Sequence, residues 1–190
     1  MTYAIIQPPF TLKFREMSKQ ELIGYFTWFQ DILPQRLDEL INTVVETPRF
    51  ETWEHNFTPA SLERLGEWFA EQAKIRPRTP EEIQEIRDRS NVLIEIREEE
   101  LTNLTFSFAM DVGMYFSQVF LRSYPILRWS QQFGNKKDAD YGQPVLVGFG
   151  LVPLNPVRLM VMLAYGIVSK NRTGKSLREL YDIWVKMIKM

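Results

Sequence analysis

The chain has no cysteine and a single histidine, His55. The first absence excludes disulfide staples, thiolate metal sites and a cysteine nucleophile. The second excludes a multi-histidine zinc site within one chain and leaves a Ser/His/Asp triad only one residue to be built around. Long apolar runs are lacking as well. The two candidates, 104–121 and 151–168, are interrupted by Ser107, Asp111, Ser117 and Gln118 and by Asn155, Pro156 and Arg158. Neither offers the roughly twenty predominantly apolar residues that a span requires, so both are taken as core helices and no membrane partner is expected. The opening residues, Met1 to Phe10, carry no positive n-region and no small-residue cleavage site. The expected location is therefore cytoplasmic.

What is present is ample core material. Of the 190 residues 45% are hydrophobic and 13% aromatic, enough for one well-buried core, and one domain over 1–190 is the expectation. The net charge of −1 conceals an asymmetry: residues 1–100 carry 12 Lys/Arg against 19 Asp/Glu, and residues 101–190 carry 11 against 5. Within one compact unit this predicts mutual attraction of the halves and a dipolar surface able to steer a charged partner. Scattered, cancelling charges are the plainer account. The basic excess is too thinly spread among apolar segments for a nucleic-acid platform.

Helix starts are well marked. Ser18-Lys-Gln-Glu21, Thr79-Pro-Glu-Glu82 and Ser176-Leu-Arg-Glu179 have the spacing of capping boxes, and Thr58-Pro59 and Asn155-Pro156 put a cap residue before a proline at the first helical position. A further start is predicted at Pro34, with Arg36, Leu37, Leu40, Ile41, Val44 and Val45 in helical spacing up to Thr47-Pro48. From Pro80 to Pro125 two helices are expected, joined near Glu100–Asn103. The first is charged, with a thin stripe of Ile83, Ile86, Leu93 and Ile94; the second, from about Leu104 to Arg122, is apolar nearly all round and so buried on most sides. Segments 126–133 and 144–149 have strand character and pair as a hairpin across a polar turn, and Thr11–Arg15 alternates like a third strand. The predicted fold is mainly α, of the α+β class: six to seven helices with a small antiparallel hairpin or three-stranded sheet.

Asp111, in the middle of the most apolar helix, has to be paired, hydrogen-bonded or neutralised. It is either a functional carboxylate sharing a cavity with Tyr115 four residues on, or an anchor to an arginine or backbone amide, the commoner use of such a group. The hairpin region gathers Arg128, Trp129, Gln131, Gln132, Asp140, Tyr141 and Gln143, a mixture enriched in binding hot spots, and suggests a recognition surface; the alternative is an ordinary hairpin with Trp129 packed on the core. His55 follows an acidic residue and is a candidate acid/base group, although a lone loop histidine is more often solvated. Gly174-Lys175-Ser176 resembles the end of a phosphate loop, but serine at 169 replaces the required glycine, so a turn between helices is the simpler account. Glu98-Glu99-Glu100, with Glu95, would supply oxygen ligands to a divalent cation only if adjacent helical side chains converged, and they diverge. Three Asn-x-Thr tripeptides carry no weight without a signal peptide.

Four short segments, Asp111-Val-Gly-Met-Tyr-Phe-Ser-Gln-Val-Phe120, Pro125-Ile-Leu-Arg-Trp129, Asp140-Tyr-Gly-Gln-Pro-Val-Leu-Val147 and Leu154-Asn-Pro-Val-Arg158, resemble a pattern in small uncharacterised bacterial proteins. Some of those are encoded beside secreted toxins and are thought to act as immunity proteins. The chain departs from the pattern at Ser117-Gln118, where a Gly-Glu pair is common. The resemblance implies a bacterial, immunity-like role and no catalytic residue. Taken together, the sequence predicts a non-enzymatic protein that binds another protein through an immunity-like or regulatory role. It implies no metal and no cofactor. Two alternatives stand beside it: a small enzyme or small-molecule binder using Asp111 and Tyr115, and a structural protein that completes its burial as a homodimer.

Overall fold

A computed structural model describes residues 3–89 and 96–188, and Leu93, Ile94 and Glu95 lie outside the described residues. Among the described residues the chain forms six helices and two small antiparallel sheets of two strands each. The helices are α1 (Lys19–Glu46), α2 (Ser61–Gln72), α3 (Pro80–Arg89), α4 (Asn103–Ser123), α5 (Pro156–Val168) and α6 (Ser176–Val185). Strands β1 (Ile75–Pro77) and β2 (Glu99–Leu101) form one sheet, and β3 (Arg128–Gln131) and β4 (Pro144–Val147) the other.

The centre is α4. Its side chains are buried all round, from Thr105 through Phe120 with only Phe106 and Gln118 partly exposed, because α1, α2 and α5 each pack along it. By length and composition this helix is apolar enough to cross a membrane, and in the fold most of it is covered by protein. Gly113 lets α5 approach: a Cβ there would stand 3.0 Å from the carbonyl of Pro156, the first residue of α5.

Local signals decide most boundaries. Ser18 caps α1 through a complete capping box with Glu21, and Asn155 caps α5 by accepting from the Arg158 N–H. Thr58-Pro59 and Ser176 do not cap. The Thr58 N–H and hydroxyl both donate to Asn56 Oδ1, a turn intervenes, and α2 starts only at Ser61. Ser176 is buried inside α6, whose entry is a turn through Thr173 and Gly174. No helix starts at Pro34, since α1 runs through it without interruption. Pro34 and Gln30 are both on the exposed face of α1, where a lost backbone hydrogen bond costs least because water can replace it. Pro34→Ala is expected to stabilise the protein by about 1–2 kcal/mol, the restored hydrogen bond less the extra freedom of the unfolded chain. A raised urea midpoint at unchanged slope is the readout.

Strands β3 and β4 pair as the sequence predicts, with Trp129 opposite Leu146. Thr11–Arg15 adds no third strand; it forms a turn ending on Met17, and β1 and β2 make the second sheet instead. Three residues each, with Pro77 and two glutamates among them, these strands are too short and too charged for alternation to show. They are tied by charge: Arg76 opposite Glu100 in the register, Arg78 also on Glu100, and Arg76 to Glu82 at 2.7 Å. The Arg76 guanidinium and the Thr79 N–H hold the Glu82 carboxyl down at about 2, against an ordinary value of 4.5. A carboxyl depressed in the folded chain stabilises it above about 4.5 and loses that contribution as pH falls toward 2. Amide protection in the first turn of α3 is therefore expected to fade over that window, and Glu82→Gln to reduce the pH dependence, leaving the smaller part due to Glu81.

Candidate functional site

Asp111 is fully buried, and its two oxygens are both engaged by a clamp from α1. Arg36 donates from Nε to Oδ1 at 2.9 Å and from Nη2 to Oδ2 at 2.6 Å, a bidentate pair, and the Tyr3 hydroxyl donates to Oδ2. Tyr3 also meets Ser107 Oγ at 2.7 Å, and the Arg36 guanidinium lies 5.0 Å from the centre of the Tyr3 ring. Burial pushes the Asp111 carboxyl up, and the Arg36 hydrogen bonds and charge, then Tyr3, pull against it. Burial also pushes the Tyr3 hydroxyl far up, assisted by the charge of Asp111, so it stays a donor. The anchor reading of Asp111 describes this geometry.

Tyr115 belongs to a different cluster. Its hydroxyl donates to Ser61 Oγ at 2.8 Å and accepts from the Phe57 N–H at 3.1 Å, while its ring stacks on Phe57 at 4.6 Å. Asp111 and Tyr115 are thus satisfied by different parts of the chain, and neither lines the cavities described below. His55 is exposed, with its ring 5.8 Å from that of Trp53.

The hairpin residues mostly turn inward. Trp129 packs edge-on against Phe29 at 5.2 Å, and Tyr141 is buried with Met17, Leu22 and Tyr25. Gln131 donates to the carbonyls of Leu22 and Gly142 at 2.6 and 2.8 Å, tying the hairpin to the start of α1. Asp140 accepts from Asn155 Nδ2 at 2.9 Å and from Arg158 at 3.0 Å. Arg128 alone of this group is exposed. Glu100 is held by arginines, and among the described residues no group of three His, Asp or Glu is placed to hold a metal ion. Gly174 is a packing residue, its backbone pressed against that of Gly66 in α2.

What the sequence reading missed is a groove of about 580 Å³. The N-terminal segment forms one wall, through Ile5 to Pro8 and Leu12, and α4 forms the floor through Phe106, Ser107 and Met110. Val157 and Val161 of α5 make the opposite wall, and Gln143, Pro144 and Asn155 close one end. Among the described residues no charged one lines it. Its central polar groups are already committed: Ser107 Oγ to Tyr3 and the Ile6 N–H, Asn155 to Asp140, Gln143 and the Arg158 N–H, and Gln143 Nε2 to the Ala139 carbonyl. A larger cavity of about 730 Å³ lies beside Arg97, Glu98, Glu99 and Tyr165. The apolar spacing of α4 announced burial, and nothing in it told that the N-terminal segment packs beside Phe106, Ser107 and Met110.

The N-terminal wall is held in place by the clamp. Arg36 Nη1 donates to the Ala4 carbonyl at 2.8 Å, the Ala4 N–H donates to Glu39 at 2.7 Å, and the Ile6 N–H donates to Ser107 at 2.9 Å. The buried ion pair therefore acts on the groove indirectly, by fixing one of its walls.

No family model, curated protein or solved structure matches the chain.

Proposed function

We propose that the chain is a non-enzymatic binding protein that recognises another protein, and that the uncharged groove between its N-terminal segment, α4 and α5 is the recognition site. One observation carries this reading. The groove has the size of a ligand site, and among the described residues no acid, base or nucleophile with an activating partner lines it. Apolar walls whose central polar side chains, Ser107, Asn155 and Gln143, are already engaged favour a burial-driven contact over chemistry. The bacterial, immunity-like form of the reading rests on the resemblance of the segments at 111–120, 125–129, 140–147 and 154–158.

The test places a photo-crosslinking phenylalanine analogue at Val161 in the full chain, with the same analogue at exposed Glu179 of α6 as control. After irradiation in cell extract, a discrete adduct with a different protein, formed from position 161 and not from 179, is expected. Identical adducts from both positions, or none, would overturn the proposal. An adduct with the mass of two copies of this chain would replace it with self-association.

A further inference from the structure

The wall of the groove made by the N-terminal segment has a feature beyond its apolar side chains. Its hydrogen bonds into the protein fall on alternate residues: Ala4 uses both its N–H and its carbonyl, and Ile6 uses its N–H. That period of two is the signature of an extended chain bonded along one edge, and residues before proline, here Gln7 ahead of Pro8, are themselves biased toward extended backbone. The backbone groups of Ile5 and Gln7, between and beyond the bonded ones, have no partner among the described residues. An extended segment with one edge bonded and the other open, beside an apolar trough, is the arrangement used for strand addition, in which main-chain pairing supplies affinity and alternate side chains fill pockets.

Resting on the groove as the recognition site, we infer that its occupant is an extended, uncharged peptide segment of the partner, laid along Ile5–Gln7 as an added strand with every second apolar side chain in the trough. The lining, uncharged among the described residues, selects against a charged occupant, whose ions would lose water without gaining a counterion from it. The open backbone edge selects a peptide over a compact apolar molecule, which has no use for alternating donors and acceptors. Gln7 and Asn103 offer side-chain amides at the rim with no internal partner among the described residues, suited to a peptide carbonyl.

The experiment pans a phage-displayed library of random nonapeptides on the full chain and synthesises the most enriched sequence. Enrichment of uncharged peptides with alternating apolar residues is expected, with binding weakened at least 10-fold by Val161→Trp. With the unaltered protein, the Ile5 and Gln7 amide signals shift and exchange more slowly when that peptide binds. Replacing its peptide bonds one at a time by esters weakens binding about 5-fold at alternate positions, the effect of one lost hydrogen bond. Charged winners, no enrichment, esters all within 2-fold of the parent, or unmoved Ile5 and Gln7 amides would each overturn strand addition. A Val161 cross-link that persists alongside those results would leave the groove itself standing as the recognition site.

Discussion

Replacing Arg36 by methionine is expected to destabilise the protein by about 3–5 kcal/mol, because it strands a fully buried carboxylate without its counterion. The loss exceeds what the removed contacts are worth in net terms, since a paired buried charge has already lost its hydration. Removing both charges, Arg36→Met with Asp111→Leu, is expected to recover most of the deficit, as apolar replacements of buried pairs commonly do. The pH dependence has a definite sign. Without the guanidinium, Asp111 keeps the upward push of burial, so the folded chain binds a proton that the unfolded chain releases near its ordinary value of about 3.9. The deficit of Arg36→Met relative to the unaltered protein should therefore be smallest near pH 4 and grow toward neutrality. Urea melts at both pH values measure it.

Gly66→Ala is expected to be comparably damaging for a steric reason. A Cβ on Gly66 would lie 2.1 Å from the Gly174 carbonyl oxygen, and a Cβ on Gly174 would lie 2.6 Å from the Gly66 carbonyl oxygen and 2.7 Å from the Glu67 backbone. These are backbone atoms, which no rotamer change can move aside. The turn that launches α6 has to lift off α2, loosening the layer in which Leu177 and Tyr181 are buried. A cost of about 3 kcal/mol is expected, equivalent for a chain of this length to a fall in Tm of about 6–12 °C. The conservative partner Gly174→Ala should act in the same direction, and the double variant should cost less than the sum, because both relieve one clash by the same displacement. Scanning calorimetry on the three variants decides it.

The elements that were legible in the sequence share one property: their signal is local. Ser18 with Glu21 and Asn155 with Pro156 are complete within four residues, and the all-round apolar pattern of 104–122 foretells the central helix whatever packs on it. The hairpin followed from two apolar segments around a polar turn. Where the signal depended on surroundings, it misled. Pro34 carries a strong stop signal, but α1 presents it to water, where the broken hydrogen bond is cheap. Trp129, Gln131, Asp140 and Tyr141 have hot-spot composition, and only the fold decides that they face Phe29, Leu22 and Asn155 instead of solvent. Asp111 advertised a need for a partner. Arg36 advertised itself too, as an arginine among Leu33, Leu37 and Leu40 on the buried stripe of α1, yet the two are 75 residues apart and no periodicity joins them. Tyr3 and the groove had no signal, because the site is assembled from the N-terminus, α4, a loop and α5, each of which is ordinary alone.

The central claim is that recognition runs through the groove and not through the hairpin or the buried ion pair. It is tested most directly by the yield of the Val161 photo-adduct in two further variants of the full chain, Val157→Trp, which fills the groove from the α5 wall, and Arg128→Glu, which reverses the exposed charge on the hairpin. The account predicts loss of the adduct with Val157→Trp and an unchanged yield with Arg128→Glu, both variants remaining folded by circular dichroism. An adduct abolished by Arg128→Glu and indifferent to Val157→Trp would contradict it.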